Sequence, residues 1–302
     1  MSNFAPTNTA VMKDNAIFHI LAFLIVCVWG TTYVSSKVLI NAGLSPAQIF
    51  TLRFAIAYLL LLAIYHRRLF ADNWKDELQL ALLGVTGGSM YFLSENTALS
   101  YSTASNVSLI VCSCPMVSML MLAALYKEER LQRIQYAGSV LALVGMAVVV
   151  LNGHFVLHLS PLGDALALCA CLCWSIYSVI LRNIGKKYSS KLISRKVFFY
   201  GLLTITPYYI IYPQWPPIEL LATPEVIAHL LFLAVVASFG AYLLWNICVD
   251  HLGVVIANNW IYLTPIATIV VAWLLIGEKP TPWLFIGTAM ILIGMWLAAK
   301  RQ

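Results

Sequence analysis

Apolar residues in this chain come in long runs rather than in alternation. A helix needs about 20 mostly apolar residues to cross a bilayer, and runs of that length recur between charged or Pro/Gly-marked breaks. Ten can be read, at about 17–40, 46–65, 78–100, 102–126, 132–151, 161–181, 192–212, 225–249, 253–276 and 281–299. The longest gap, 213–224, holds Pro213, Pro216, Pro217 and Pro224 and reads as an extended loop. The first run is too long for a secretory h-region and ends in Lys37 rather than at a small-residue cleavage site, so it is expected to be a retained span. The pattern predicts an all-α polytopic membrane protein with ten transmembrane helices and no room for a soluble catalytic domain.

Composition agrees. Of 302 residues, 61% are hydrophobic and 10% charged, against about 25% charged in a soluble domain. A soluble globule, a disordered chain and a disulfide scaffold are excluded. The seven cysteines fall inside apolar runs and are expected to be free thiols. The net charge of +6 matters through its placement. With the N-terminus inside, the inner segments hold 15 of the 18 basic residues, and the outer loops hold only Lys279. Lys37 is expected to snorkel at the outer end of the first span, and Arg53 lies within the second. This is the positive-inside signature of a plasma-membrane protein, here a bacterial inner-membrane one, with both termini cytoplasmic. It is not the basic face of a nucleic-acid binder.

The chain also repeats itself. Ser113-Cys114-Pro115 aligns with Leu263-Thr264-Pro265, and a glutamate follows each proline by thirteen residues, at Glu128 and Glu278. Asn96 aligns with Asn246 at the same 150-residue offset, and Trp29 with Trp174 at 145. Gly138, Gly145 and Met146 align with Gly287, Gly294 and Met295 at 149. Two halves of five spans each follow, 1–151 and 152–302. Because five is odd, the second half enters the membrane upside down. Such inverted repeats are typical of transporters, with a solute site near the midplane between the halves.

With these motifs on the page, the chain resembles the drug/metabolite transporter superfamily in its ten-helix EamA-type branch. Trp29-Gly30, Pro46, Arg53, Glu95-Asn96-Thr97-Ala98, Ser105-Asn106-Val107-Ser108, Pro115 with Glu128, Gly163-Asp164 and Pro265 with Gly277-Glu278 carry the resemblance. It implies export of amino acids or other metabolites, and relatives move sugars, sugar phosphates or drugs. The first helix here lacks the membrane-embedded glutamate of the four-helix multidrug relatives.

Candidate chemistry follows from what lipid penalises. Pro115 and Pro265 would free the carbonyls of Val111 and Ile261 and kink their helices, either as hinges beside a cavity or as packed structural kinks. Arg53 and Glu95 lie at similar depth and are expected to pair, as a structural ion pair or as a pair that gates the outer mouth or contacts substrate. Trp29, Tyr33, Tyr91, Trp174, Tyr177, Tyr242, Trp245, Trp260 and Tyr262 could line a cavity together with the amides Asn96, Asn106, Asn246, Asn258 and Asn259. Each aromatic could equally be ordinary helix packing. Such a cavity suits an apolar body with a small polar head, as in large apolar amino acids. The paired glycines of the fifth and tenth helices suit close packing or a lateral interface. Asp164 suits the first turn of its helix. Trp215, Trp283 and Trp296 suit interfacial anchors.

Cys169, Cys171 and Cys173 lack the partners of a metal site, and His154 and His158 sit four apart in an outer loop. No Walker-type loop or protease constellation is present, so no cofactor and no enzymatic activity are expected. The expected function is secondary export of a small metabolite, foremost an amino acid, by a monomer or homodimer in the lipid bilayer. Uptake or drug efflux on the same fold, or a lipid-moving or scaffolding role, are the alternatives.

Overall fold

The computed structural model describes residues 8–66, 68–102, 104–127, 131–151, 160–276 and 282–299, with backbone only at 8–15, 104–106, 109, 149–150, 269, 272–276, 284 and 299. Helices stand where the apolar runs place them. They are α1 (Asn8–Asn41), α2 (Pro46–Ile64), α3 (74–101), α4 (104–125), α5 (Arg133–Leu151), α6 (Pro161–Ile184), α7 (Ser190–Ile211), α8 (224–252), α9 (254–276) and α10 (Pro282–Ala299). The Pro-rich loop before α8 contains one short turn, Ile218–Leu221. Glu128, Gly277, Glu278, Lys279, His154 and His158 lie outside the described residues.

Local chemistry sets several of the boundaries. Ser45 and Gln48 form a reciprocal capping box at the start of α2, with Pro46 in the first turn. Asn73 accepts from the Asp76 N–H at 2.9 Å, and Ser160 and Ser189 cap α6 and α7. Gly43 and Gly253 have φ of +108° and +80°. These left-handed positions suit glycine and let the chain leave α1 and turn from α8 into α9.

By length and hydropathy alone, four described helices qualify as membrane spans: Ala16–Asn41, Pro46–Ile64, Pro161–Ile184 and Pro224–Leu252. Charge or a break interrupts α3, α4, α7 and α9, while α5 and α10 are shorter apolar helices over their described residues. Lys75, Asp76 and Glu77 open α3, and Lys191, Arg195 and Lys196 open α7. The breaks are mirrored between the halves. Helix α3 widens into a π-helical stretch at Val85–Ser89, and α8 does so at Phe232–Gly240, about 150 residues on. Helix α4 interrupts at Cys112–Ser113, and α9 tightens to a 3₁₀ turn at Trp260–Leu263.

The packing is mirrored too. Helix α3 lies on α6 and α8 on α1; α4 lies on α6 and α9 on α1; α2 lies on α8 and α7 on α3. The α2–α7 and α5–α10 pairs map onto themselves. Exchanging each helix for the one five places later reproduces the set, as an inverted ten-helix repeat requires. The glycines of α5 and α10 serve this packing within the chain. A Cβ on Gly138 would lie 2.6 Å from the Gly294 carbonyl, and one on Gly294 2.5 Å from the Gly138 carbonyl. The outward side of α10, with Phe285 and Trp296 exposed, is apolar, as a lipid-facing surface should be.

One of the proline expectations needs correcting. Ile261 does not keep a free carbonyl, because the 3₁₀ turn hands it the Thr264 N–H. The tighter i→i+3 bond uses the group that the proline would otherwise orphan. Lys37 Nζ donates to the Leu99 carbonyl at 2.5 Å and so ties α1 to the end of α3.

Candidate functional site

A cavity lies at the seam of the two halves. Seven helices line it. Helix α1 supplies Trp29, Thr32 and Tyr33; α2 supplies Arg53; α3 supplies Tyr91, Phe92 and Glu95. Helix α4 adds Val111, Cys112 and Cys114, α6 adds Trp174, α8 adds Tyr242, and α9 adds Ile261 and Thr264. Val111 and Ile261 are repeat mates, and so are Cys114 and Thr264. The residues just before the two prolines therefore face one cavity from both halves, while Pro115 and Pro265 stand behind them.

Two buried ionisable groups share this cavity without touching. Arg53 is 2% exposed; its Nε donates to Ser238 Oγ at 2.8 Å, and its guanidinium lies 4.4 Å from the centre of the Phe92 ring. Glu95, 6% exposed, accepts from the Tyr91 hydroxyl at 2.9 Å. The expected Arg53–Glu95 pair is thus corrected: no ion pair joins them among the described residues. The physical reason is reach. The arginine stem extends to the π-helical stretch of α8 and over Phe92, while Glu95 is held on its own helix by Tyr91 one turn away.

Aromatic rings form a continuous wall. Trp29 meets Trp174 edge-on at 5.4 Å and Trp245 at 4.9 Å. Trp174 also packs against Tyr91, Tyr177 and Tyr242 at 5.3, 5.1 and 6.2 Å. Tyr177 and Trp245 thus back the wall rather than line it.

The amides separate. Asn246 lines a second, larger space at the C-terminal ends of α6 and α8, with Arg182, Lys186 and Asp250. Its Oδ1 accepts from the Tyr177 hydroxyl at 2.5 Å and its Nδ2 donates to Ser194 at 2.8 Å, so this chain of bonds stands between the two spaces. Asn258 donates to Ser178 at 3.0 Å, and Trp260 donates to His19 at 3.2 Å, away from the cavity. Asn96 and Tyr262 are fully buried, also outside the lining; Asn259 is buried likewise. The Asn106 side chain lies outside the described residues.

Sequence reasoning missed Thr32, Phe92, Cys112, Cys114 and Thr264. A small residue beside a mid-span proline was the available signal for the last three. It also missed a network at the basic-residue end of the bundle. Asp76 accepts from Lys187 and Tyr188, each at 2.8 Å, and Glu77 pairs with Lys196 and accepts from Tyr200 at 2.5 Å. Arg195 donates to the carbonyls of Tyr65, at 2.6 Å, and Arg68. Every one of these bonds joins the first half to the second. The Lys187 and Tyr188 hydrogen bonds hold the Asp76 carboxyl below its usual range, and Asp76 in turn raises Lys187. Burial pushes Glu77 up, but its bonds to Lys196 and Tyr200 outweigh that and leave it below its ordinary value.

Comparison with known proteins reaches the same architecture. A solved crystal structure superposes over 92% of this chain and 96% of that chain with a TM-score of 0.72 at 20% identity, which shows a shared fold. An "Uncharacterized transporter" of Archaeoglobus fulgidus is 25% identical over 95% of this chain and 99% of its own length. A "Probable amino-acid metabolite efflux pump" of Escherichia coli is 26% identical over 92% and 93%. A "Probable terminal-alkyne amino-acid exporter" of Streptantibioticus cattleyicolor is 26% identical over 75% and 74%. The EamA-like transporter family pattern matches residues 16–151 and again 161–299, so this multi-pass membrane protein belongs to the EamA-like transporter family.

Proposed function

We propose that the protein exports an α-amino acid or a close amino-acid metabolite across the bacterial inner membrane. One observation carries the reading: a guanidinium and a carboxylate stand apart on the wall of one aromatic cavity. A buried charge needs a partner, and a zwitterion offers one to each, its carboxylate to Arg53 and its ammonium to Glu95. The rings of Trp29, Tyr33, Tyr91, Trp174 and Tyr242 would surround an apolar side chain. The names of two relatives, an amino-acid metabolite efflux pump and an amino-acid exporter, support the same class.

The halves 1–151 and 152–302 would rock about this seam, with the breaks before Pro115 and Pro265 as hinges and both termini in the cytoplasm. Binding at the seam biases the rocking only through contacts that differ between the two access states.

Counterflow in proteoliposomes, with a panel of labelled amino acids and other metabolites, tests the proposal. Exchange of amino acids, strongest for those with large apolar side chains, is expected. Exchange of organic cations or sugars with no amino acid exchanged would overturn it.

A further inference from the structure

The two tryptophans related by the repeat stand in unequal surroundings. Trp29 Nε1 donates to the Ala237 carbonyl at 3.2 Å, inside the π-helical stretch of α8. The mirrored acceptor is Gly87, 150 residues earlier, inside the π-helical stretch of α3, and Trp174 would be its donor. That carbonyl is instead taken by the Tyr242 hydroxyl at 2.8 Å. The position mirroring Tyr242 is Phe92, which has no hydroxyl, so the Ala237 carbonyl stays available to Trp29. Trp174 Nε1 is consequently buried with no acceptor among the described residues, on a residue 4% exposed that lines the cavity with Arg53.

We propose that Trp174 is a specificity-determining hydrogen-bond donor for the transported solute, kept free by Tyr242, whereas its repeat mate Trp29 is committed to holding α1 on α8. A buried donor is costly to leave unmet, so a solute that brings an acceptor gains what one without it cannot. The inference rests on the amino-acid reading of the cavity, under which the acceptor is a carboxylate oxygen shared with Arg53. Tyr242 is a positioning residue: it acts by occupying the one backbone acceptor that the indole could otherwise take.

The test uses the full-length protein in detergent or nanodiscs and two probes. L-phenylalanine carries the carboxylate; phenethylamine has the same ring and ammonium without it. Trp174→Phe keeps the ring and removes the N–H. It is expected to weaken L-phenylalanine binding about ten- to a hundredfold more than phenethylamine binding, the range for a hydrogen bond to a charged group, since both probes share whatever the smaller ring loses in packing. Indole ¹⁵N–¹H resonances, assigned with Trp→Phe variants, supply a readout that needs no ligand. Trp174 should resonate as an unbonded indole, shift on adding L-phenylalanine, and move to the bonded range of Trp29 in Tyr242→Phe. That variant should also weaken L-phenylalanine binding, since the indole then bonds Gly87.

Equal losses for both probes in Trp174→Phe would overturn the inference, as would a Trp174 indole already in the bonded range without ligand. If the wild-type protein binds no L-phenylalanine, the amino-acid reading falls, and the resonances of the wild type and Tyr242→Phe decide the donor assignment on their own.

Discussion

At position 96 the first half buries an asparagine whose amide oxygen and nitrogen both lack a partner among the described residues. At position 246 the second half buries its repeat mate, engaged at both ends by Tyr177 and Ser194. The difference begins one helix away. Tyr177 follows Trp174 by three residues, and the residue three after Trp29 is Thr32, whose hydroxyl turns back to the Trp29 carbonyl at 2.7 Å. Other seam positions diverge in the same way. Glu95 mirrors Trp245, Tyr91 mirrors Ala241 and Phe92 mirrors Tyr242. The helix contacts are shared between the halves, but the side chains at the seam are not: both halves supply rings, the first alone supplies charge to the cavity, and the second supplies a closed hydrogen-bond chain. A duplicated scaffold constrains packing between helices, whereas residues facing the cavity answer to whatever occupies it.

The largest expected effect breaks the comparison at its charged side. Arg53→Met keeps most of the stem and removes the guanidinium from a cavity where no carboxylate among the described residues forms an ion pair with it. Counterflow should fall on the order of a hundredfold, the value of a buried charge-assisted bond. Glu95→Gln should act similarly on solutes carrying an ammonium and spare those without one. Full counterflow activity in Arg53→Met would remove the zwitterion reading.

The next effect concerns backbone approach. A Cβ at Gly87 would collide with the Tyr177 ring and approach the Tyr242 hydroxyl to 2.5 Å. Its mirror position is Ala237, which already carries a Cβ. Gly87→Ala should therefore destabilise the protein by about 1–3 kcal/mol, the usual cost of overpacking, while Ala237→Gly should cost about 1 kcal/mol or less by helix propensity. Thermal melts of the two variants check the inequality, and equal losses would mean that the π-helical stretches are interchangeable.

The scaffold was legible in the sequence because hydrophobic length and basic-residue placement are properties of single segments. All ten runs became helices, and the repeat was visible from Pro115 and Pro265, Asn96 and Asn246. The cavity was half legible. Trp29, Tyr33, Tyr91, Trp174 and Tyr242 were identified by chemical type, since rings at midspan have few places to go. Whether a ring lines the cavity, as Trp174 does, or backs it, as Tyr177 does, depends on helix rotation, which a nearly all-apolar helix does not encode in its periodicity. Equal depth suggested a bond between Arg53 and Glu95, but depth fixes only one coordinate, and the guanidinium found Ser238 on a helix distant in sequence. The Asp76 and Glu77 network escaped because its partners lie more than a hundred residues away.

A smaller effect sharpens the comparison at the asparagines. Asn246→Leu removes one partner from a closed chain and leaves the Tyr177 and Ser194 hydroxyls unmet, a loss of about 1–3 kcal/mol. Asn96→Leu removes an amide that has no partner to lose, so it should be neutral or stabilising by about 1 kcal/mol. Opposite shifts in melting temperature are expected. A loss in both would show that Asn96 is engaged in the working protein.

The smallest effect lies where the halves meet at the basic-residue end. A carboxylate held below its usual pKa in the folded protein, as Asp76 is by Lys187 and Tyr188, contributes stability above its unfolded value, near 4. That contribution is lost as the pH falls through the depressed folded value. Acidification from about pH 5 downward should therefore loosen the contact between residues 72–77 and 187–196, and Asp76→Asn should flatten that part of the melting-temperature profile. The raised Lys187 gives the opposite limb. Its contribution is complete below the ordinary lysine value, near 10.4, and disappears as the pH rises through the folded value, so Lys187→Met should flatten the alkaline end. Because Lys187 reaches solvent while Asp76 is buried beneath it, the acid limb should shrink with added salt. A Tyr177–Asn246–Ser194 chain that holds by neutral hydrogen bonds should not respond to salt, so melting Asn246→Leu and Asp76→Asn at low and high ionic strength separates the contact that joins the halves from the chain that ties α6, α7 and α8 together within the second half.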